Sequence, residues 1–365
     1  MKKHDWSTYK IVQETKDTVS IYFDTNQEAF SFLPGQFINI SCQIDGKQII
    51  RSYSLSSTPT DQFPCITVKR VHGGIMSNYL VDEAKSITAW TIQGPFGNFI
   101  LESHLSQDYP LIFLGGGSGI SPLFSMLNSL NTPTNKPLLI YSNRSTDETI
   151  FGERLLQMEK QGLVNASYSF TAQNQNPQAD QDRGIVQSKY TLGRFSIEKI
   201  QAILKEQTYV YTLAHYYICG PIGLMNLYEE ALKSLHIPKE QIHMEYFDLE
   251  EDQNTVITNT SESRDIFVHY FEDTLVNDDL QTYQCTVLLE VKANQSLLEA
   301  IKAYNIRVPS SCKNGTCGSC WAIKTEGEVK MRNNRVLTES NIAEGVILLC
   351  QSYPLDDDVT ISLLE

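Results

Sequence analysis

The sequence contains no long apolar segment. No stretch approaches the roughly 18–20 consecutive apolar residues that a membrane-spanning helix requires, so we expect no insertion into a membrane. The first six residues, Met1–Trp6, include two lysines, but no apolar run follows them. We therefore expect no secretory signal at this end.

Positive charge is also scarce. The chain has 29 Lys and Arg residues against 43 Asp and Glu residues, which gives a net charge of −14. Proteins that bind nucleic acids generally need basic surfaces that neutralise phosphates, so this composition excludes nucleic acid as a general partner. Internal repeats and low-complexity tracts are absent, and the seven histidines show no metal-ligand spacing.

The length and the apolar content indicate several globular domains. A chain of 365 residues with 41% hydrophobic residues is long enough for two or three of them. Short alternating strands over residues 1–102 predict an antiparallel β-barrel. Strand–turn–helix units over 103–249 predict a parallel sheet in an α/β domain. The polar residues 250–263 indicate a linker, and residues 264–365 form a last domain.

The last domain holds a specific pattern of four cysteines. Cys312, Cys317 and Cys320 occupy one loop and Cys350 follows 30 residues later, which gives C-x4-C-x2-C…C. Soft thiolates suit iron–sulfide clusters, and plant-type [2Fe–2S] proteins have this spacing. A structural zinc site is the alternative, although zinc ligands usually come as paired short knuckles. We predict that these cysteines bind a [2Fe–2S] cluster. From residue 266 onward the sequence resembles a plant-type ferredoxin domain, which implies an α+β fold of the β-grasp type.

Two motifs in the first domain point to a flavin. R-x-Y-S occupies residues 51–54 and G-x-x-S occupies residues 74–77. Together they resemble the FAD-binding barrel of the ferredoxin–NADP reductase superfamily, although either alone also fits a strand end or a hairpin turn. A pyrophosphate needs a cation, close backbone approach and a helix N-terminus, which Arg51, Gly74 and a helix starting at Ser77 would supply. The predicted cofactor-binding residues here are Arg51, Tyr53, Ser54, Val68, Lys69, Arg70, Gly74, Met76 and Ser77.

Tyr53 and Ser54 have further predicted roles. The tyrosine offers a flat ring against the isoalloxazine. Ser54 offers a hydroxyl to the N5 edge of the flavin, so we predict that it is catalytic.

A glycine-rich loop lies between a strand and a helix of the second domain. Its sequence G-G-G-S-G-I-S-P, residues 115–122, does not match G-x-G-x-x-G, because Ile120 occupies the sixth position. It still offers backbone amides and a helix N-terminus to a pyrophosphate. We expect Ser121 to be the N-cap of that helix. The loop resembles the nucleotide loop of the same superfamily, which implies cofactor contacts from Gly116, Gly117 and Ser118.

Cys219-Gly220-Pro221 resembles the C-G-P motif of this superfamily. The resemblance implies that all three residues contact the nicotinamide cofactor. It also implies that Cys219 lies beside the nicotinamide, where hydride passes, and we predict that it is catalytic. A lone cysteine at a strand end is more often a packing residue.

Asn143 and Arg144 follow a strand at the position where this fold binds the adenosine ribose. An arginine there favours the 2′-phosphate of NADPH, whereas the nearby Asp147 and Glu148 favour NADH. The sequence leans toward NADPH without deciding between the two cofactors, and Arg144 as an ordinary solvated surface residue remains an alternative.

The order of flavin barrel, nucleotide domain and ferredoxin domain resembles the reductase components of multicomponent oxygenases, and most of all those of phenylacetyl-CoA epoxidases. The resemblance implies an NAD(P)H-dependent oxidoreductase with FAD and a [2Fe–2S] cluster. Its protein electron acceptor would be an oxygenase or hydroxylase component. Reductases of hybrid-cluster proteins share the layout and remain an alternative, as does a zinc-stabilised module without catalysis. Thiols kept for a cluster predict a cytoplasmic protein, and the sequence indicates no oligomeric state.

Overall fold

The computed structural model describes residues 3–130, 136–172, 190–207, 211–247, 262–276 and 279–363. These residues form a barrel-like antiparallel sheet, a parallel sheet between helices, and a mixed sheet with a helix across it. The predicted multidomain fold class is thereby confirmed. The exact domain boundaries stay predictions, and residues 250–261 of the predicted linker lie outside the described residues.

The first sheet is antiparallel throughout, with the strand order β4-β3-β6-β1-β2-β5. A bridge between Leu55, directly after β4, and Ile66 in β5 brings its two edges together. Trp6, Ile21 and Trp90 are at most 2% exposed in the barrel core. The elements of this part are β1 (Lys3–Thr15), β2 (Thr18–Asp24), β3 (Phe37–Ile44), β4 (Lys47–Ser54), β5 (Cys65–Lys69), α1 (Ile75–Glu83) and β6 (Ala89–Phe96).

The second sheet is parallel, with the order β10-β9-β8-β7-β11-β12. Its central strand β7 is buried at every position, as a parallel strand covered by helices on both faces requires. The helices are α2 (Ser103–Asp108), α3 (Ile120–Asn128), α4 (Gly152–Lys160), α5 (Ile197–Gln207) and α6 (Ile222–Ser234). The strands are β7 (Leu111–Gly116), β8 (Leu138–Asn143), β9 (Asn165–Phe170), β10 (Tyr190–Leu192), β11 (His215–Cys219) and β12 (Ile242–Glu245).

The third sheet has the order β14-β13-β19-β15-β17, and β16 pairs with β18 beside it. Helix α7 begins with a capping box, in which Ser296 and Glu299 satisfy each other's backbone N–H groups. The elements are β13 (Arg264–Val276), β14 (Asp279–Val291), α7 (Leu297–Ala303), β15 (Trp321–Glu326), β16 (Val329–Met331), α8 (Glu339–Ala343), β17 (Val346–Leu348), β18 (Ser352–Pro354) and β19 (Thr360–Ser362).

The ferredoxin-like part packs directly on the barrel. Phe37 of β3 and Phe96 of β6 belong to the same apolar core as Val336 and Leu337 of the third part. Ser311, next to the first cysteine of the loop, donates a hydrogen bond to the carbonyl of Ile50 at 2.9 Å. The cysteine loop therefore lies against the strands that carry the flavin motif. No helix among the described residues is long and apolar enough to cross a membrane.

Candidate functional site

Three polar groups meet between the barrel and the parallel sheet. Ser54, at the end of β4, donates a hydrogen bond from its hydroxyl to Oε2 of Glu245 at 3.3 Å. Glu245 ends β12, where it is the register partner of Cys219 at the end of β11. The structure thus brings together the two residues predicted to be catalytic, Ser54 and Cys219, and adds a carboxyl group between them.

The protonation of this group follows from its surroundings. Burial disfavours a charged carboxylate and raises the pKa of Glu245 to about 8, while the hydrogen bond from Ser54 works in the opposite direction. Burial also raises the pKa of the Cys219 thiol well above its usual value, and Glu245 adds to this effect. A thiol that stays protonated is a poor nucleophile. The arrangement therefore suits contact and proton handling rather than covalent chemistry.

The sequence analysis did not include Glu245 in the site. The carboxyl ends of neighbouring parallel strands meet at one edge of a sheet, and ligands bind there in open α/β folds. Glu245 ends the strand next to the one that carries the C-G-P motif. Its place at the end of this strand could have pointed to Glu245 as a site residue, but only if the pairing of β12 with β11 had been known. Phe247, two residues later, is 44% exposed.

Helix α1 offers an N-terminus that suits a phosphate. It begins at Ile75, not at Ser77 as expected, and its N-cap Gly74 provides no side-chain hydrogen bond to the first turn. The N–H groups of that turn are available to an anion. Ser77 instead accepts a hydrogen bond from the backbone N–H of Val71 at 3.1 Å. A Cβ at position 74 would lie 2.7 Å from the Ser77 hydroxyl, so the close turn requires glycine.

The other residues predicted around the flavin occupy different surroundings. Val68 and Met76 are 1% and 2% exposed and pack in the barrel core. Arg70, directly after β5, forms an ion pair at the surface with Asp82 of α1. Tyr53 is half-buried, and this burial raises the pKa of its hydroxyl.

Arg51 points toward the cysteine loop. Its Nη1 donates to the carbonyl of Ile50 at 2.7 Å and to the hydroxyl of Ser311 at 3.3 Å. The guanidinium is exposed and lies between the flavin motif and the loop. Its predicted role in binding a phosphate stays a prediction.

Lys69 reaches the glycine loop of the second domain. A Cβ on Gly117 would lie 4.0 Å from the Lys69 ammonium. Burial lowers the pKa of Lys69, Glu148 opposes this change, and the charge of Arg144 adds to it. Lys69 and Arg144 therefore place two cations beside the predicted nucleotide loop, although they come from different domains.

The glycine loop is packed tightly against the C-G-P turn. A Cβ on Gly119 would lie 2.3 Å from the carbonyl oxygen of Cys219, and one on Gly116 would lie 2.9 Å from the ring of Pro221. The glycine of the C-G-P turn is equally close to the glycine loop, since a Cβ on Gly220 would lie 3.0 Å from the backbone nitrogen of Gly116. Glycine is required here because a side chain would push the two turns apart.

Helix α3 starts earlier than its sequence predicts. A 3₁₀ turn over Gly117–Gly119 leads into the helix at Ile120, so Ser121 lies in the first turn and is not the N-cap. The hydroxyl of Ser121 is buried and has no hydrogen-bond partner among the described residues. An unpaired hydroxyl beside an uncapped helix start fits a phosphate-bearing ligand. Ser118 lies in the 3₁₀ turn and is half-buried.

Asn143 and Arg144 lie at the carboxyl end of β8. Asn143 is 6% exposed. Its amide lies near the Tyr141 hydroxyl, but neither amide atom makes a hydrogen bond of normal geometry within the described chain. Arg144 is exposed. This pairing of a buried amide and an exposed cation fits a ribose with an attached phosphate.

The four cysteines of the third part fit a two-iron cluster. Their thiols lie in a chain of neighbours, in which Cys312 contacts Cys317 and Cys350, and Cys350 contacts Cys320. Three ligands in one loop and a fourth 30 residues later suit a [2Fe–2S] cluster better than the paired short knuckles of zinc sites.

Backbone and side-chain donors surround these sulfurs. The N–H of Thr316 points at the sulfur of Cys312 at 3.3 Å, and the N–H of Cys350 points at that of Cys320 at 3.5 Å. The hydroxyl of Ser319 is buried and has no partner among the described residues. Donors aimed at thiolate sulfurs are the surroundings that an iron–sulfur cluster needs.

Comparisons with known proteins agree with this geometry. The sequence matches the families described as oxidoreductase FAD-binding domain over residues 8–100, oxidoreductase NAD-binding domain over 113–230 and 2Fe-2S iron-sulfur cluster binding domain over 282–355. These matches support FAD, NAD(P)H and a [2Fe–2S] cluster as the cofactors.

Full-length relatives share the whole arrangement. The ferredoxin reductase component of the 3-ketosteroid-9-alpha-monooxygenase from Rhodococcus rhodochrous is 31% identical, over 96% of this chain and 94% of its own length. One subunit of the 1,2-phenylacetyl-CoA epoxidase from Escherichia coli K12 is 27% identical, over 98% and 97%. The solved structure of phthalate dioxygenase reductase shares the fold, with a TM-score of 0.55 and 24% identity over 99% of this chain and 98% of that one. The chain therefore belongs to the ferredoxin–NADP reductase superfamily, as one of its NAD(P)H-dependent reductases with a C-terminal [2Fe–2S] domain.

Proposed function

We propose that the chain is the reductase component of a multicomponent oxygenase and carries electrons from NAD(P)H to the oxygenase. One observation carries this proposal: strand β4 touches both ends of the electron path. Ser54, at its end, bonds to Glu245 beside Cys219, and the carbonyl of Ile50 bonds to Ser311 beside Cys312. A flavin held on β4 would lie between the nicotinamide site and the cluster.

The cofactors supply the redox chemistry, because FAD takes a hydride from NAD(P)H and a [2Fe–2S] cluster carries single electrons. We assign the chain's residues to binding and orientation. Arg51 and the N-terminus of α1 would bind the flavin pyrophosphate. Ser54 and Glu245 would contact the flavin edge, and Cys219 would contact the nicotinamide. Since Glu245 keeps its proton near neutral pH, it can donate a hydrogen bond within the closed site.

The nucleotide site favours NADPH in this proposal. Lys69 and Arg144 put two positive charges at the loop and at the ribose end of the site. A 2′-phosphate adds negative charge where Arg144 is exposed to solvent. Asp147 and Glu148 remain the counter-argument for NADH.

The acceptor is proposed from the relatives. Relatives that match 96% and 98% of this chain are named for oxygenases, a ketosteroid monooxygenase and the phenylacetyl-CoA epoxidase. This favours an oxygenase component over a hybrid-cluster protein as the partner of this chain. Phenylacetyl-CoA epoxidation is one such system. We place the protein in the cytoplasm, where its thiols would stay reduced.

The variant Cys317→Ser tests the order of electron flow. Removing one ligand should abolish the visible absorption of the cluster, while FAD stays bound and reduction of ferricyanide by NADPH persists. Reduction of a one-electron protein acceptor such as cytochrome c should fall to a small fraction of its normal rate. Both activities and the content of iron and acid-labile sulfide would be measured.

Cys285→Ser is the matched control, because Cys285 lies in β14 of the same domain outside the cluster loop. It should keep the cluster and both activities. Loss of ferricyanide reduction in Cys317→Ser with FAD still bound would contradict the proposed order. Zinc in place of iron in the unmodified protein would instead support an interaction module without catalysis.

A further inference from the structure

A buried asparagine connects the flavin barrel to the cysteine loop. Asn39 in β3 is 1% exposed. Its Oδ1 accepts a hydrogen bond from the Ser52 hydroxyl at 2.7 Å, and its Nδ2 donates to the backbone carbonyl of Cys317 at 2.8 Å. One amide group therefore bonds to the barrel with one atom and to the third domain with the other.

The two partners of Asn39 lie next to the two redox sites. Ser52 precedes Tyr53, which the flavin motif places against the flavin ring, and Cys317 is a predicted cluster ligand. Hydrogen bonds and covalent bonds therefore run without a gap from Tyr53 through Ser52 and Asn39 to Cys317. Further hydrogen bonds between these domains lie close by: Ser311 bonds to Ile50, and Asn98 bonds to Leu337.

The apolar and polar parts of this interface contribute differently. Phe37 and Phe96 supply burial, which is not directional and allows the domains to slide. A hydrogen bond of 2.8 Å has a preferred length and angle, so it fixes one position. Because Asn39 is fully enclosed, losing either partner would leave a buried polar group unpaired. The docked position is therefore the one in which Asn39 meets the Cys317 carbonyl.

We propose that Asn39 is a positioning residue for internal electron transfer, which holds the cluster loop at a fixed place against the flavin site. This rests on the proposed electron path. Oxidation of one NAD(P)H to NAD(P)⁺ releases one proton and two electrons, and a [2Fe–2S] cluster accepts one electron at a time. Each NAD(P)H therefore requires two transfers across this interface, and the external acceptor protein removes both electrons.

Asn39→Asp tests the role in the full chain with both cofactors bound. Aspartate has the same size and still accepts the hydrogen bond from Ser52, but it faces the Cys317 carbonyl with an oxygen instead of an N–H. In single-turnover stopped-flow experiments with NADPH, flavin reduction should stay within about twofold, and cluster reduction should slow by about tenfold or more. The visible circular dichroism of the oxidised cluster should change as well, because the backbone of a ligand is displaced.

Asn98→Asp is the matched control. Asn98 donates the same kind of hydrogen bond across the same interface, to the carbonyl of Leu337 at 3.2 Å, but no cluster ligand is involved. Both rates and the dichroism should match the wild type. If Asn39→Asp loses its cluster, Asn39→Ala replaces it, since alanine removes the donor without adding charge, and its cluster reduction should slow severalfold.

Two results would overturn the role of Asn39. One is a cluster-reduction rate within twofold of wild type in a fully loaded variant. The other is an equal slowing of flavin and cluster reduction, because a general loss of fold affects both. A wild-type chain whose cluster is never reduced by NADPH would refute the proposed function itself.

Discussion

At the scale of single residues, Glu245 is the group whose chemistry depends most on its surroundings. In the sequence it is one of 43 acidic residues. In the fold it lies beside Cys219 and accepts a hydrogen bond from Ser54. Burial, against the opposing effect of the Ser54 hydrogen bond, raises its pKa to about 8 and makes it a carboxylic acid near neutral pH, whereas an exposed glutamate would be charged.

Glu245 should make stability depend on pH. The folded protein holds this proton up to a pKa of about 8, whereas the unfolded chain releases it near the ordinary value of 4.5. The folded state thus binds more protons between these values, and the free energy of unfolding falls as pH rises from about 5 to 8. Glu245→Gln removes this dependence. As pH rises from about 5 to 8, the melting temperature of the variant should therefore increase relative to that of the wild type.

Thermal unfolding of the two proteins across pH 5 to 8 measures this difference. Glu240→Gln, a change at an exposed residue near the start of β12, provides the control and should follow the wild type. If the difference in melting temperature between Glu245→Gln and the wild type stayed the same at every pH, Glu245 would not be held protonated in the folded protein.

At the scale of helices and strands, the sequence predicted the kinds of elements better than their first residues. The buried strand, glycine loop and helix of the second domain follow from a continuous apolar run followed by small residues. The start of α3 was wrong because Gly117–Gly119 form a 3₁₀ turn that begins the helix before Ser121. The start of α1 was wrong because the Ser77 hydroxyl bonds back to Val71.

In the candidate site, too, some features could be predicted from the sequence and others could not. The cysteine spacing was sufficient to predict the [2Fe–2S] cofactor, because all of its information lies in one loop and one later residue. The assignment of the four cysteines as its ligands stays a prediction. The roles of Glu245 and Asn39, and the reach of Lys69 to the nucleotide loop, could not be assigned, since they depend on partners in other domains. Lys69 belongs to a barrel strand but lies at Gly117, and Asn39 meets Cys317, 278 positions away.

The carboxyl end of β8 should determine the choice of nucleotide. Arg144→Ala removes an exposed cation that lies in the field of Lys69. If Arg144 binds a 2′-phosphate, KM for NADPH should rise about tenfold or more, as expected for a lost charge-assisted contact. KM for NADH should change little.

Steady-state kinetics with ferricyanide measure both constants for this variant. Lys199→Ala, at an exposed position in α5, provides a charge-matched control. Equal changes in KM for the two nucleotides would exclude a 2′-phosphate role for Arg144.

At the scale of the whole molecule, an ionic contact joins the barrel to the nucleotide domain. Arg154 of α4 pairs with Glu14 of β1, whose side chain is 7% exposed. The guanidinium lies 4.4 Å from the centre of the Phe151 ring and 5.0 Å from that of Phe124. This pair links the same two domains between which Ser54 and Glu245 form their hydrogen bond.

Arg154→Met should destabilise this junction. In this variant Glu14 stays buried, and the Ser20 hydroxyl is its remaining hydrogen-bond partner among the described residues. The loss of the cation should lower the free energy of unfolding by about 2 kcal/mol. The melting temperature should drop by roughly 4–8 °C. The double variant Glu14→Gln/Arg154→Met should recover part of this loss, because no charge is then left unpaired. Calorimetry of all three proteins tests this, and an unchanged single variant would show that the pair contributes nothing.

The sharing of Phe37 and Phe96 between two domains limits how this protein can be divided. The two rings are 6% and 5% exposed, and both pack in one apolar core with residues of the cluster-bearing part. A shortened chain ending before residue 262 would expose these two adjacent aromatic rings to water, and an exposed apolar patch promotes self-association. In a chimera that takes its iron–sulfur part from another reductase, the new part would not fit the surface formed by Phe37 of β3 and Phe96 of β6. This surface therefore has to be exchanged together with the iron–sulfur part.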